Sequence, residues 1–232
     1  MGDHELRQPA GGERHVSTCT LIIGNRNYSS WSLRGWLAAS LSGIDFQTEL
    51  VRLSEPGSHA VLLGHSPAGR VPVLRHGDRV IWDSLAIIEY LAELPPDMAM
   101  WPAEPEARAI ARSISAEMHA GFKALRGNMP MNLRKALPGK GRGPGVAEDI
   151  ERIGAIWCEA RGRFGGDGPF LFGRYCAADA MYTPVASRFR TYGVALDAAC
   201  QAYADAVLAW PAFLAWQSAA LEEPWIIPED EV

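Results

Sequence analysis

Four prolines fall within the eleven residues from Pro95 to Pro105, and the chain reads differently on its two sides. Proline fixes its own φ, lacks an N–H, and pushes the residue before it out of the helical region, so neither a helix nor a central strand runs through such a stretch. It predicts an extended linker and a domain boundary. Before it, apolar residues come in short runs and in alternation; after it, they recur every three or four positions. With 232 residues, 48% of them hydrophobic, the chain can bury a core on each side.

In the first half, Thr18 to Gly24 reads as a short buried strand. Ser32 to Ser42 reads as a helix with Leu33, Trp36, Leu37 and Leu41 on one face, stopped by Gly43 at its C′ position. Ile44, Phe46, Thr48 and Leu50 alternate, the period of a second strand over Ile44 to Val51. Strand, helix, strand implies a crossover and a parallel pair. After a polar segment, Val71-Pro72-Val73-Leu74 and Val80-Ile81-Trp82 flank His76-Gly77-Asp78, which predicts a β-hairpin. Asp83-Ser84 then opens a helix with Leu85, Ile88, Leu91 and Ala92 at helical spacing. One mixed four-stranded sheet covered by helices is the economical arrangement.

Beyond the linker, Ile110, Ile114, Met118, Phe122 and Leu125 form one long stripe, and Ile150, Ile153, Trp157 and Phe164 form another. The Gly- and Pro-rich segment Pro138 to Gly145 joins them, and further helices are predicted at 177–192, 197–209 and 211–221. The expected fold class is α/β followed by all-α: a mobile tail at 1–16, a first domain at 17–95, a linker at 96–105 and a helical domain at 106–232. The tail is charged and lacks the apolar run of a secretory signal.

A net charge of −5 argues against a nucleic-acid partner, which calls for a basic patch, and no stretch of 18 uncharged apolar residues suggests a membrane span. Small molecules are the expected partners. Cys19, Cys158, Cys176 and Cys200 are scattered, with no C-x-x-C and no Cys/His cluster. Spacing therefore indicates neither a disulfide framework nor a metal site, and free thiols in a reducing cytoplasm are expected.

Chemistry concentrates in Asn27-Tyr28-Ser29-Ser30-Trp31-Ser32-Leu33-Arg34, between the first strand and its helix. The turn puts serine hydroxyls at a helix N-terminus, where free N–H groups and the dipole favour an anion, a thiolate among the candidates. Helix capping by serine accounts for the same residues, and Asp83-Ser84 is open to the same two readings. With no G-x-S-x-G elbow, a covalent serine nucleophile is disfavoured.

This order of elements, with its motifs, resembles the glutathione S-transferase superfamily over nearly the whole chain from about Thr18. Residues Ser29 to Arg34 are similar to the S-S-C-S-x-R turn of the zeta-type enzymes, and Ser66 to Leu74 to their N-P-x-x-x-V-P-x-L segment. Asp83 to Leu91 is similar to the helix start [E/Q/D]-S-x-A-I-x-x-Y-L. The resemblance implies an N-terminal thioredoxin-like βαβββα domain with a C-terminal helical-bundle domain. It implies a cis peptide at Pro72 that presents the N–H and C=O of Val71 to glutathione. Ser84 would hold the γ-glutamyl carboxylate, Asp83 its ammonium, and Arg70 the glycyl carboxylate. Ser29 would donate to the thiolate, with Ser30 or a nearby amide as second donor.

The same resemblance places the electrophile between the domains, lined by Tyr28 and Trp31. On the far side, Met129, Met131, Asn132 and Arg134 are candidates because they follow the first long helix. Residues Cys176 to Pro184 are similar to the family's S/T-x-A-D capping box, with Asp179 in a structural role at N3, Cys176 in place of the hydroxyl cap, and a kink expected at Pro184. Trp31 stands where zeta-type proteins carry cysteine, which puts zeta-specific isomerase chemistry in question and leaves thiol activation intact. The implied activity is a cytoplasmic, homodimeric transferase with glutathione as co-substrate and no metal. Its thiolate would attack a small hydrophobic or carbonyl-bearing electrophile, giving conjugation or isomerisation. The competing readings are a non-catalytic glutathione-binding or structural protein of this fold and a glutathione-dependent peroxidase or reductase. Glutaredoxin-like exchange needs a nucleophilic cysteine where Ser29 and Ser30 stand.

Overall fold

The computed structural model describes residues 19–94 and 99–232. The expected tail at 1–16 and the Pro95-Pro96 pair lie outside those residues. The first half runs β1 (Cys19–Ile23), α1 (Ser30–Ser42), β2 (Gln47–Leu50), α2 (Ser58–His65), β3 (Val73–His76), β4 (Arg79–Trp82) and α3 (Ser84–Ala92). The second half runs α4 (Pro105–Ala120), α5 (Lys123–Asn128), α6 (Val146–Phe164), α7 (Ala177–Tyr192), α8 (Ala198–Leu208) and α9 (Pro211–Glu222), followed by a 3-10 turn at Pro228–Asp230.

The strands form one sheet in the order β2-β1-β3-β4. β1 is parallel to β2 and antiparallel to β3, and β3 is antiparallel to β4. β1 is central because Leu21, Ile22 and Ile23 are all fully buried, the mark of a strand covered on both faces. The hairpin turns through Gly77 at φ 59, a left-handed value that glycine adopts without a Cβ penalty.

Three details depart from the periodicity. β2 is only four residues long and mostly exposed; Ile44 and Phe46 pack against the core before the strand begins. The polar segment holds α2, which buries only Leu62 and leaves Val61 and Leu63 exposed, so it shows no apolar face to find. Leu62 caps a small cluster with Ile22, Val51 and Val73. The stripe from Ile110 to Leu125 is divided between α4 and α5, because Phe122 turns left-handed at φ 54. Gly121 sits so close that a Cβ there would lie 2.8 Å from the Glu117 carbonyl oxygen.

α1 starts two residues earlier than its apolar face suggests. It packs between α3 and α7, so Arg34, Gly35, Ala38 and Ala39 are buried along with Leu33 and Leu37. α7 is the central helix of the second half, with every residue but Arg190 buried. Its start is held by the capping box: the Asp179 carboxylate accepts from Cys176 N–H at 2.8 Å and from Leu171 N–H at 3.2 Å. Burial pushes the Asp179 carboxyl up to about 6 against those donors. α7 continues without a break through Pro184. One apolar cluster includes Leu21 and Leu37 of the first half together with Trp157 and Phe189 of the second. Among the described residues, no helix is long and apolar enough to cross a membrane.

Candidate functional site

The sheet half and the helical half together line a cleft of about 370 Å³. The sheet half supplies Arg70, Val71, Pro72, Trp82, Asp83 and Ser84, and the start of α1 supplies Trp31. The helical half supplies His119 from α4 and Arg126 from α5. The Val71–Pro72 peptide is cis, and Pro72 packs so closely on α1 that a Cβ at Gly35 would lie 2.9 Å from its Cγ.

At the mouth of α3 the two candidate caps divide their work. Asp83 is the N-cap, at φ 77, and its Oδ1 accepts the Leu85 N–H at 2.8 Å. Its Oδ2 lies 2.8 Å from His119 Nε2, a contact that bridges the two halves across the cleft. Ser84 is therefore not needed as a cap. Its hydroxyl is buried and has no hydrogen-bond partner among the described residues. A free hydroxyl beside the first N–H groups of a helix is a receptor for an anion.

The α1 turn is built differently. Ser29 is the N-cap: its Oγ accepts Ser32 N–H at 3.2 Å and donates to Ser32 Oγ at 2.8 Å, which in turn accepts Gly24 N–H at 2.9 Å. Ser30 Oγ accepts from Arg188 Nη2 at 3.2 Å, leaving its own proton uncommitted. Arg188 is fixed on α7 by donating to the Met129 carbonyl at 2.7 Å. Burial, then the nearby Arg126 charge, lowers the Arg188 guanidinium to about 10. Arg34, fully buried, donates to the Met181 carbonyl at 2.9 Å and is held well below its ordinary value by burial and by Arg188 and Arg126. Both Arg34 and Arg126 lie over the Trp31 ring, at 4.5 and 5.3 Å, and His119 meets its edge at 5.2 Å. The floor behind Trp31 is thus strongly cationic.

The residues expected from sequence are only partly brought together. Arg70, Val71, Pro72, Asp83, Ser84 and Trp31 share the cleft, whereas Ser29 and Ser30, the residues just before Trp31, are not among those lining it. Of the six candidate electrophile contacts, five point elsewhere. Met131 is buried in the core. Arg134 clamps the C-terminal segment by donating to the carbonyls of Glu223 and Trp225 at 2.6 and 2.8 Å, and to Tyr28 Oη at 2.8 Å. Tyr28 in turn donates to Glu231 at 2.5 Å, so its ring and the Arg134 guanidinium belong to the packing of the C-terminal segment. Met129 is core, and Asn132 joins Asn27 and Glu231.

His119, Arg126 and Arg188 were not singled out by sequence. Arg188 shares its helix with a second cation, Arg190, and only the packing of α7 buries the one and leaves the other outside. His119 and Arg126 carried no signal, because only the docking of α4 and α5 onto the sheet half aims them at the cleft.

A family model for the glutathione S-transferase N-terminal domain matches residues 28–94. Maleylacetoacetate isomerase from Pseudomonas aeruginosa is 32% identical over 206 residues, which span 81% of this chain and 90% of that protein. The chain belongs to the glutathione S-transferase superfamily, in its zeta-like group. A probable maleylacetoacetate isomerase from Caenorhabditis elegans is 37% identical over 100 residues, 43% of this chain and 46% of that one. A glutathione transferase homolog from Burkholderia, solved with bound glutathione, superposes with a TM-score of 0.70 at 22% identity, over 89% of this transferase-family chain and 100% of the other. That likeness speaks to the fold, and the fold agrees: a four-stranded mixed sheet followed by helices.

Proposed function

We propose that this chain is a glutathione-dependent transferase or isomerase: it binds glutathione in the cleft and turns its thiolate on a small electrophile. Ser84 carries the reading. Its buried hydroxyl, released from capping by Asp83, stands at the N-terminus of α3 and suits the γ-glutamyl carboxylate. Asp83, exposed and adjacent, takes the ammonium, and the Val71 backbone beside Pro72 pairs with the peptide as an added strand would. Arg70, exposed at the rim, takes the glycyl carboxylate. The relatives in the same group are named maleylacetoacetate isomerases, which supports a bond-rotation reaction beside conjugation.

Holding a thiol largely ionised at neutral pH asks for a depression of about two pKa units, or about 3 kcal/mol. One charge-assisted hydrogen bond supplies about 1.5–3 kcal/mol and a helix N-terminus about 0.3–2. Of the serine pair, Ser30 is the better donor, because Ser29 already gives its proton to Ser32 while Ser30 keeps its own and accepts from Arg188. Arg188 adds positive charge behind that hydroxyl. Ser29 then acts as the cap that aims the α1 N-terminus.

The electrophile meets Trp31, His119 and Arg126, an aromatic wall in which the two rings meet edge to face, with one cation whose Nε finds no acceptor among the described residues. This wall suits a planar electrophile bearing a carboxylate or carbonyl, the role that position alone had assigned to Arg134. The homodimer and the cytoplasmic setting implied by the resemblance belong to the same proposal, and sedimentation tests the first.

The thiol titration of bound glutathione, read by thiolate absorbance, tests the core of the reading. Ser30→Ala is expected to raise the midpoint by about one to two units, the value of one lost charge-assisted hydrogen bond. Ser29→Ala is expected to cost mainly helix-cap stability, about 1 kcal/mol. A midpoint that moves only in Ser29→Ala would return the donor role to Ser29, and one that moves in neither would remove both serines from the chemistry.

A further inference from the structure

On the helical half, Cys158 of α6 faces the first turn of α8. Its Sγ lies 3.4 Å from Cys200 Sγ and 3.4 Å from Asp197 Oδ2, and the three ligand atoms all fall within 4.8 Å of one another. None of the three residues lines the glutathione cleft. Nor does the spacing of 39 and 42 residues along the chain resemble a metal motif. The fold alone assembles the group.

Asp197 is already oriented. It is the N-cap of α8, and its Oδ1 accepts the Cys200 N–H at 2.7 Å, which leaves Oδ2 turned toward the sulfurs. Cys200 is buried, Cys158 half-buried and Asp197 exposed, so the group is rooted in the protein and open on one side. In a tetrahedral site with metal–sulfur bonds of about 2.3 Å and metal–oxygen bonds of about 2.0–2.2 Å, the S···S edge is about 3.8 Å and the S···O edge about 3.5 Å. The two separations from Cys158 need to open by only a few tenths of an ångström, and the third pair lies within 4.8 Å.

We infer that Cys158, Asp197 and Cys200 form a three-ligand site for a thiophilic divalent cation of the Zn²⁺ or Cd²⁺ type, separate from the glutathione cleft. Two thiolates and one carboxylate occupy three corners, and the open side admits water as the fourth ligand. Each thiol releases its proton to solvent as its metal–sulfur bond forms. The bound ion ties the middle of α6 to the start of α8 and stabilises the helical half.

The full chain, reduced and stripped with a chelator, is titrated with Cd²⁺ alone, following thiolate-to-metal charge-transfer absorbance and the count of thiols open to an aromatic disulfide reagent. The expected result is saturation at one equivalent, protection of Cys158 and a rise in melting temperature. Cys158→Ser, at a half-buried position, removes the band without disturbing the core, and Cys200→Ala removes it independently. Asp197→Asn keeps a capping side chain and weakens the metal about 10-fold or more. The proposal is overturned if no band forms at stoichiometric Cd²⁺, or if the band survives Cys158→Ser. Unchanged affinity in Asp197→Asn would also overturn it, reducing the site to a hydrogen-bonded thiol pair that captures metal nonspecifically. Glutathione binding serves as the internal control and stays as in the wild type throughout.

Discussion

Replacing Ser84 by alanine separates a receptor hydroxyl from a structural one, because the two roles predict opposite signs. The Ser84 Oγ is buried without a partner among the described residues, and Asp83 already caps α3 through the Leu85 N–H. In the absence of glutathione the substitution removes a buried polar group that makes no hydrogen bond, so stability should hold or rise by about 1 kcal/mol. In its presence, one hydrogen bond to a carboxylate is lost, worth about 1.5–3 kcal/mol, which weakens binding roughly 10- to 150-fold. At a glutathione concentration of about 100 times the wild-type Kd, ligand binding stabilises the wild type by about 2.7 kcal/mol; a 100-fold loss of affinity leaves about 0.4. For a chain of this size that is a fall in the ligand-induced melting shift from roughly 5–11 °C to about 1–2 °C. Paired thermal melts with and without glutathione, together with calorimetric titration, read both numbers. A Kd within twofold of the wild type, or a ligand-free variant that melts several degrees lower, would refute the argument and return Ser84 to the helix start as a structural residue.

Gly35→Ala drives a Cβ into Pro72 at 2.9 Å, so α1 must shift off the proline that forms the cleft wall; a loss of about 1–3 kcal/mol in stability, with weakened glutathione binding, is expected from denaturation and titration. Asp179→Ala leaves the buried N–H groups of Cys176 and Leu171 unpaired at the start of the central helix, and chemical denaturation should show a loss of at least about 2 kcal/mol. Arg134→Met should expose residues 223–231 to hydrogen exchange and proteolysis while leaving the glutathione Kd unchanged, since its donors serve the Glu223 and Trp225 carbonyls and not the cleft. A large rise in that Kd would give Arg134 a part in glutathione binding as well as in holding the C-terminal segment.

The sheet-half segments that share the cleft were legible in sequence because each is contiguous, although Ser29 and Ser30 are not among its lining residues. Val71-Pro72 and Asp83-Ser84 each carry their geometry in neighbouring residues: a strand entry, a turn, a helix start. The helical side of the cleft was not legible. Met131 and Arg134 were assigned by their place after a helix, yet one is core and the other anchors the C-terminal segment, and the helical residues that line the cleft are His119 and Arg126. A helix-borne side chain can face any of several neighbours, and sequence spacing fixes its face on the helix but not what that face meets.

What the sequence determined by itself is local: strand against helix, the caps at Gly43 and Asp83, and the apolar strand that buries Val73 and Leu74 on opposite faces of the sheet. These follow from backbone sterics, capping and hydrophobic period, which act over a few residues. Only the tertiary structure decided that Asp83 would meet His119, that Ser30 would rest on Arg188, and that Cys158 would face Cys200. Those pairs lie 36 to 158 residues apart. They are set by how α1, α4, α6, α7 and α8 dock, and docking is governed by the summed burial of whole apolar faces, in which the polar residues that perform the chemistry have little weight.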